Sequence, residues 1–341
     1  MRRVTLRDVA RRAGVDTSTA SRALSESASQ VLNERTVARV VQAAEDLGYR
    51  PNALARGLRT NRTATIGMLV PDLANPLFWP IVQGIEDELV RSGYTLILAN
   101  TDNDPNREQR ATNSLLELQI DGIIIATRRL DHDGTEVIHE KSIPHLYVVN
   151  RPHKDVPFVV TDEKRGVDAV IEHLVGLGHR RIAHIAGPQW LSPGKARHDC
   201  YRRAVRRHEL ELDPKIVAIA DAFTLEAGAK ACHSLLTAGG DFTAIFAAND
   251  LIAVGCLETL KAEGLAVPGD VSLAGFNDMP LVDKLDPALT TVHVPHHEMG
   301  VTAARVLLSL IEGSANATPK VLVAPDLIIR SSTAKPPGRR K

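Results

Sequence analysis

No run of eighteen apolar residues occurs in this 341-residue chain, so no segment has the length and character of a membrane-spanning helix. The basic start Met1-Arg2-Arg3 is not followed by an apolar stretch, which argues against a secretory signal and makes the cytoplasm the expected location. Cysteine is scarce. Cys200, Cys232 and Cys256 lie far apart with no CxxC pair, so neither a disulfide framework nor a zinc knuckle is expected. HExxH, GxGxxG and GxxxxGKS are all missing, and with them go the zinc-hydrolase and phosphate-loop readings. Ser192, in Leu191-Ser192-Pro193, reads as a loop residue and not as a nucleophile on an elbow. His293, His296 and His297 crowd one segment before Glu298, but without metal-ligand spacing they read as part of a crossover leading into a helix. No enzyme, cofactor or metal site is expected.

What is present is ordinary in bulk and uneven in distribution. A hydrophobic content of 44% with 24% charged residues is that of a soluble globular protein, and the length suits two or three compact units. Formal net charge is zero, yet residues 1–62 hold twelve arginines, no lysine and six acids, a net +6 that the remainder cancels. A basic head on an acidic body suits a polyanion-binding module joined to a body that does not bind polyanions.

The head reads as three helices. Thr5-Leu6-Arg7-Asp8 is a capping-box-like start, Leu6, Val9, Ala10 and Ala13 form an apolar stripe, and Gly14 supplies the left-handed residue that ends the first helix. Asp16 or Thr17 caps a second helix with Ala20, Ala23 and Leu24 on one face. A third runs from about Glu34 to Leu47 behind Asn33, with Val37, Val40, Val41, Ala44 and Leu47 expected to close a small core. Two short helices about a tight glycine turn make a helix-turn-helix, whose second helix enters the major groove and meets base edges with its N-terminal residues. That nominates Thr17, Ser18 and Arg22, the last able to fork onto a guanine. After it, Pro51 and Asn52 open roughly six residues of helix through Leu58, too few to be stable alone but able to order when paired over a minor groove.

The runs Val4-Thr5-Leu6-Arg7-Asp8-Val9-Ala10, Gly14-Val15, Ser21-Arg22-Ala23-Leu24 and Tyr49-Arg50-Pro51-Asn52-Ala53-Leu54-Ala55-Arg56-Gly57-Leu58 together resemble the lactose and galactose repressor family, and the likeness continues to about residue 332. The resemblance implies a homodimer on a near-palindromic double-stranded operator, with Leu58 wedged into the central base step. The DNA-contacting set then comprises Thr5, Thr17, Ser18, Ser21, Arg22, Asn52, Ala55 and Leu58. One departure is the stretch Ser25-Glu26-Ser27-Ala28-Ser29-Gln30, about two residues longer than the common form of the loop after the second helix.

From Thr63 onward, short β-rich runs alternate with amphipathic stretches. Strands are predicted at 64–70, 94–99, 122–126, 146–149, 158–161, 182–186, 216–219, 244–247, 271–275 and 327–329, with helices at 77–92, 106–118, 134–141, 164–177, 197–208, 225–236, 251–263 and 298–310. The rhythm repeats twice, which predicts two doubly wound parallel α/β lobes with a ligand cleft beyond the strand C-termini. The resemblance makes these lobes of periplasmic-binding-protein type. The expected fold class is therefore α/β, an N-terminal all-α helix-turn-helix domain followed by that pair of lobes. The expected division is 1–50 for the helix-turn-helix domain and 51–62 for the hinge helix and linker. One lobe takes 63–161 and 292–324, the other 162–291 and 325–333, and 334–341 is a disordered tail.

Strand ends place Asp72, Asn75, Phe78, Asn150, Arg151, Asp162, Asn249, Asp250, Asn277 and Asp278 around one rim. The resemblance points to Phe78, Arg151, Asp162, Arg197, Phe223, Asp250 and Asn277 at effector-contacting places, with Asn277 where many relatives have Asp. Arginine forks and carboxylates suit vicinal hydroxyls, and two arginines suit a carboxylate equally well. The predicted function is a ligand-responsive, sequence-specific DNA-binding transcription regulator, a repressor, sensing a sugar, sugar acid or similar small polar metabolite. The alternative is a solute-binding or sugar-metabolising protein with an incidental basic head. The missing export signal and missing catalytic constellation oppose it.

Overall fold

A computed structural model describes residues 4–24, 32–49, 62–127, 129–130, 134, 136–152, 155–314 and 318–338. The chain divides into two compact units, Met1–Thr63 and Ala64–Lys341.

In the first unit, α1 (Leu6–Ala13), α2 (Thr17–Ala23) and α3 (Glu34–Asp46) enclose Val9, Ala10, Ala13, Ala20, Ala23, Val40, Ala43 and Ala44. Alanines at the helix crossings let the three axes approach closely. At the start of α1, the Thr5 hydroxyl and backbone N–H both donate to Asp8 Oδ2, at 2.7 and 3.0 Å. Gly14 ends the helix at φ 63°, and the Val15 N–H reaches back to the Ala10 carbonyl at 3.0 Å, which satisfies an orphan helix carbonyl. Asp16 caps α2 through Thr19, and Asn33 caps α3 through Arg35. One core expectation fails. Val41 faces out and Ala43 faces in, because the buried stripe of α3 follows 40, 43, 44 and 47, the spacing of a single helical face.

The second unit contains two parallel sheets. The first has the order β11-β5-β4-β3-β1-β2, from β1 (Thr65–Val70), β2 (Thr95–Asn100), β3 (Gly122–Ile125), β4 (His145–Val148), β5 (Phe158–Thr161) and β11 (Lys320–Val323). Its helices are α4 (Phe78–Arg91), α5 (Pro105–Glu117), the short α6 (Glu136–Glu140) and α11 (His296–Ile311). The second sheet has the order β7-β6-β8-β9, from β6 (Ile182–Ala186), β7 (Val217–Ile219), β8 (Ala244–Ala247) and β9 (Ser272–Ala274). It is flanked by α7 (Glu163–Leu177), α8 (Ser192–Arg207), α9 (Leu225–Thr237) and α10 (Asp250–Ala262). The central strands are buried on both faces, as helix-covered parallel sheets require.

The chain passes between the lobes three times: from β5 into α7, through β10 (Thr291–His293), and through β12 (Asp326–Ile328), which pairs antiparallel with β10. In the first lobe α4 and α11 nearly touch. A Cβ on Gly84 would lie 2.0 Å from the His297 carbonyl oxygen, and one on Gly300 would lie 2.1 Å from that of Ile81. Only glycine permits backbones this close.

Three sequence expectations are corrected. α8 begins at Ser192, not at 197, because Pro193 occupies the first turn, where its missing N–H costs nothing. Ser192 is thus a helix residue. The short strands β10 and β11 were not expected; they exist through pairing with distant chain. Ala334, assigned to the tail, exchanges hydrogen bonds with Ser272 and accepts one from His179, so it belongs to the folded body. Among the described residues no helix is long and apolar enough to cross a membrane.

Candidate functional site

On the head, Thr5, Thr17, Ser18 and Arg22 are exposed and Ser21 is half-buried. Ser18 is not idle. Its hydroxyl donates to Asp16 Oδ1 at 2.6 Å and accepts from Arg22 Nη2 at 3.2 Å. Hydroxyl bonds from Ser18 and Thr19 hold the Asp16 carboxyl well below the usual carboxylate range. Its charge therefore fixes the N-terminus of α2 and, through Ser18, the Arg22 side chain along the exposed face. Asn52, Ala55 and Leu58, and the long loop at 25–30, lie outside the described residues.

In the second unit a cleft opens between the lobes at the C-terminal ends of both sheets, with a cavity volume of about 110 Å³. The first lobe contributes Asp72, Asn75 and Phe78 from the β1–α4 segment, Asn103 after β2, and Val149 and Asn150 after β4. From the second lobe come Trp190 after β6, Arg197 on α8, Phe223 and Thr224 ahead of α9, Asn249 ahead of α10, and Asn277 after β9.

The local folding of these residues serves both structure and site. Asp72 and Asn75 each use one side-chain oxygen to close a turn, onto Ala74 N at 2.8 Å and Leu77 N at 3.1 Å. Asn249 caps α10 through Ile252 N at 2.9 Å. Their other polar atoms, with Asn277 Nδ2, have no protein partner among the described residues. Asn103 Oδ1 is buried with no hydrogen-bond partner among the described residues, a condition that few buried polar atoms are left in. Asn103 at φ 56°, Val149 at φ 66° and Asn277 at φ 112° bring three left-handed residues into the cleft wall, and for a β-branched valine that conformation stores strain. Phe223 reaches in because Gly187 has no side chain; a Cβ there would lie 2.4 Å from the phenyl ring.

Arg197 forms the cleft floor and is 4% exposed. Its Nε and Nη2 donate to the two Glu163 oxygens at 2.7 and 3.2 Å, Nη1 donates to the Ala248 carbonyl at 2.7 Å, and Nη2 also approaches Asn277 Oδ1 at 3.4 Å. The guanidinium lies 3.9 Å over the Phe276 ring. Four of its five N–H directions are thus taken.

The sequence-predicted set divides. Asp72, Asn75, Phe78, Arg197, Phe223 and Asn277 meet in the cleft. Arg151 and Asp162 line a neighbouring hollow bounded by Ser192, Pro193 and Arg203. The Arg151 N–H donates to Ser192 Oγ at 2.8 Å, its guanidinium lies 5.1 Å over Phe158, and Asp162 Oδ1 caps α7 through Arg165 N at 3.1 Å. Asp250 lies behind the wall, 1% exposed, accepting from Thr291 Oγ1 at 2.5 Å and Met279 N at 2.7 Å. Burial pushes its carboxyl up to about 7. Trp190, Asn103, Thr224 and Glu163 were missed; the strand-end rule applied after β2 and β6 signals the first two, while Glu163 had no local signal. The histidine crowd separates: His293 pairs with Asp278 at 3.0 Å, His297 with Asp87 at 2.9 Å, and His296 is buried, its pKa lowered to about 3 by desolvation.

Residues 5–52 match the family described as bacterial regulatory proteins, lacI family, and residues 171–333 match a periplasmic binding protein-like domain. The chain is 34% identical over 331 residues to the HTH-type transcriptional repressor CytR of Escherichia coli K12, covering 96% of each protein. The chain belongs to the lacI family. It is accordingly a ligand-responsive, DNA-binding transcription regulator and not an enzyme. Another relative, the ribose operon repressor of Escherichia coli K12, is 32% identical, with 96% of this chain and 99% of that one covered. Two solved structures span nearly the whole regulator. A lac repressor dimer bound to operator and the anti-inducer ONPF matches with 26% identity and a TM-score of 0.88, over 98% of this chain and 100% of that one. A complex of the transcriptional regulator CelR with cellobiose matches with 30% identity and a TM-score of 0.75, over 97% of this chain and 100% of that one.

Proposed function

We propose that this regulator is a cytoplasmic homodimeric repressor whose cleft takes an uncharged polyhydroxylated metabolite, a sugar or a molecule carrying one. The carrying observation is the electrostatics of the cleft. Its one lining cation among the described residues, Arg197, is committed to Glu163, and Arg151 lies outside. A free anion would find no open cation to pair with. Hydroxyl groups, in contrast, find Asp72, Asn249 and Asn277, while Phe78, Trp190 and Phe223 supply aromatic surface for the C–H side of a sugar. Among relatives, the ribose operon repressor and the CelR–cellobiose complex carry sugars in their names.

The mechanism follows from residues on two lobes sharing one ligand. A molecule held by both Asp72 and Asn277 binds one closure state better than another, and differential affinity is the only way a ligand shifts a conformational equilibrium. Bridges from Asn150 and Arg151 to Ser192, and from Leu130 N–H to the Trp190 carbonyl at 2.8 Å, already tie the lobes together at the cleft rim. A coupling of about 1–3 kcal/mol changes operator affinity about 5- to 150-fold. The test is a mobility shift on DNA upstream of the protein's own gene and on random DNA, over a salt series, with ribose, cellobiose and their aldonic acids added in turn. Sequence-selective binding that weakens steeply with salt and responds to a neutral sugar is expected. Equal binding to both DNAs refutes the regulator reading at this locus, and a response confined to the acids refutes the neutral-effector reading.

A further inference from the structure

The floor of the cleft contains a charge that the ligand does not have to answer. Arg197 and Glu163 are 34 residues apart in sequence and come from different helices, α8 and α7, yet they meet fork to fork with side chains 5% and 14% exposed. A bidentate arginine–carboxylate pair is the geometry that a ligand carboxylate would itself adopt. Glu163 therefore occupies, from behind, the place on the guanidinium that an acidic ligand would compete for. Asn277 does not replace it, since its Oδ1 is neutral and 3.4 Å away. Asp72, the one lining carboxylate among the described residues, adds negative charge to the cleft.

We propose that Glu163 is the specificity-determining residue for ligand charge: by closing Arg197 into an internal ion pair, it makes the cleft select uncharged polyhydroxylated ligands over their carboxylate counterparts. Arg197 then acts as a shaped hydrogen-bond donor to a hydroxyl through its one remaining N–H, not as an anion receptor. The inference deepens the neutral-effector reading and rests on it for the natural ligand, but the part played by Glu163 is tested separately.

The experiment uses the full chain and two probe pairs, D-ribose with D-ribonate and cellobiose with cellobionate, with binding followed by calorimetry at neutral pH. Glu163→Gln keeps the side-chain length and one acceptor oxygen but removes the charge. Relative to wild type it is expected to shift the acid-to-neutral affinity ratio toward the acid by on the order of ten- to a hundredfold, the scale of a charge-assisted hydrogen bond gained. The double variant Glu163→Gln with Arg197→Gln is expected to lose that gain. Should E163Q fail to fold, Glu163→Asp retains the charge and is expected to keep rejecting both acids; acceptance of an acid by E163D overturns the proposal. Indifference of folded E163Q to both acids overturns it whatever the neutral sugars do, and so does tight acid binding by wild type. If wild type ignores both neutral sugars while E163Q gains the acids through Arg197, the neutral-effector reading falls and the part assigned to Glu163 stands.

Discussion

Asp250 offers a direct measure of how dry the region behind the cleft is. Two influences oppose each other there. Burial drives its carboxyl toward the neutral form, while the donated bonds from Thr291 and Met279 favour the charged one; burial prevails, and the group titrates at about 7 in place of its ordinary 3.8. Asp278, whose own carboxylate pairs with Arg330 at 2.6 Å and His293 at 3.0 Å, pushes in the same direction as burial. Because the folded protein holds this proton more tightly than the unfolded chain, the stabilisation is complete below pH 3.8. It is lost as pH rises toward 7. The loss amounts to on the order of 4 kcal/mol, at about 1.36 kcal/mol for each pH unit. Asp250→Asn mimics the neutral acid: its amide N–H can face Thr291 Oγ1 and its oxygen can accept from Met279 N. The variant should match wild type near pH 4 and become progressively more stable up to pH 7, after which the difference stays constant. Urea midpoints read by tryptophan fluorescence report the second unit alone, since the two tryptophans are Trp79 and Trp190. A difference that does not change with pH, or a wild type more stable than the variant at pH 8, would show that the hydrogen bonds outweigh desolvation and that Asp250 is ionised in the fold.

Two further perturbations probe the scaffold. Gly84→Ala places a Cβ 2.0 Å from the His297 carbonyl oxygen, so α4 and α11 must separate; a cost of about 1–3 kcal/mol should appear as a lower melting temperature, and an unchanged melt would disprove the close approach. His184 is wholly buried among the rings of His198, Tyr201 and Phe246, and its pKa is lowered by desolvation to about 3. Its contribution is present above pH 6.5 and lost as pH falls toward 3. His184→Phe should therefore soften the acid-induced loss of stability between those values, and an identical acid profile would argue against a neutral buried imidazole.

What the sequence makes legible follows from the range of the signals involved. Asp16, Asn33, Gly14 and the alanine stripes of the head act within four residues of where they stand, so caps, turn and helix order were legible. The alternation of strand and helix in the body is equally local, and β5, β6 and β8 were placed to the residue because each is a short apolar run. The strand-end rule located the cleft but had a resolution of about one residue. Asn150 and Asn249 line the cleft while their neighbours Arg151 and Asp250 do not: Arg151 lines the neighbouring hollow, and Asp250 opens α10 with its carboxyl group turned onto Thr291 and Met279. A rule that finds the end of a strand cannot choose between two polar residues there without knowing the backbone turn that follows. β11 shows the same limit at longer range: Lys320–Val323 is a strand only because Phe158–Thr161, some 160 positions earlier, presents an open edge. Glu163 lies at the far end of that scale. Read locally it is a first-turn helix acid, with nothing nearby to mark it as functional. Its importance comes from the guanidinium 34 residues away that the fold delivers to it. The charge character of this cleft is therefore a tertiary property, and one of the two arginines that left an acidic ligand open from sequence is the residue whose pairing argues for a neutral one.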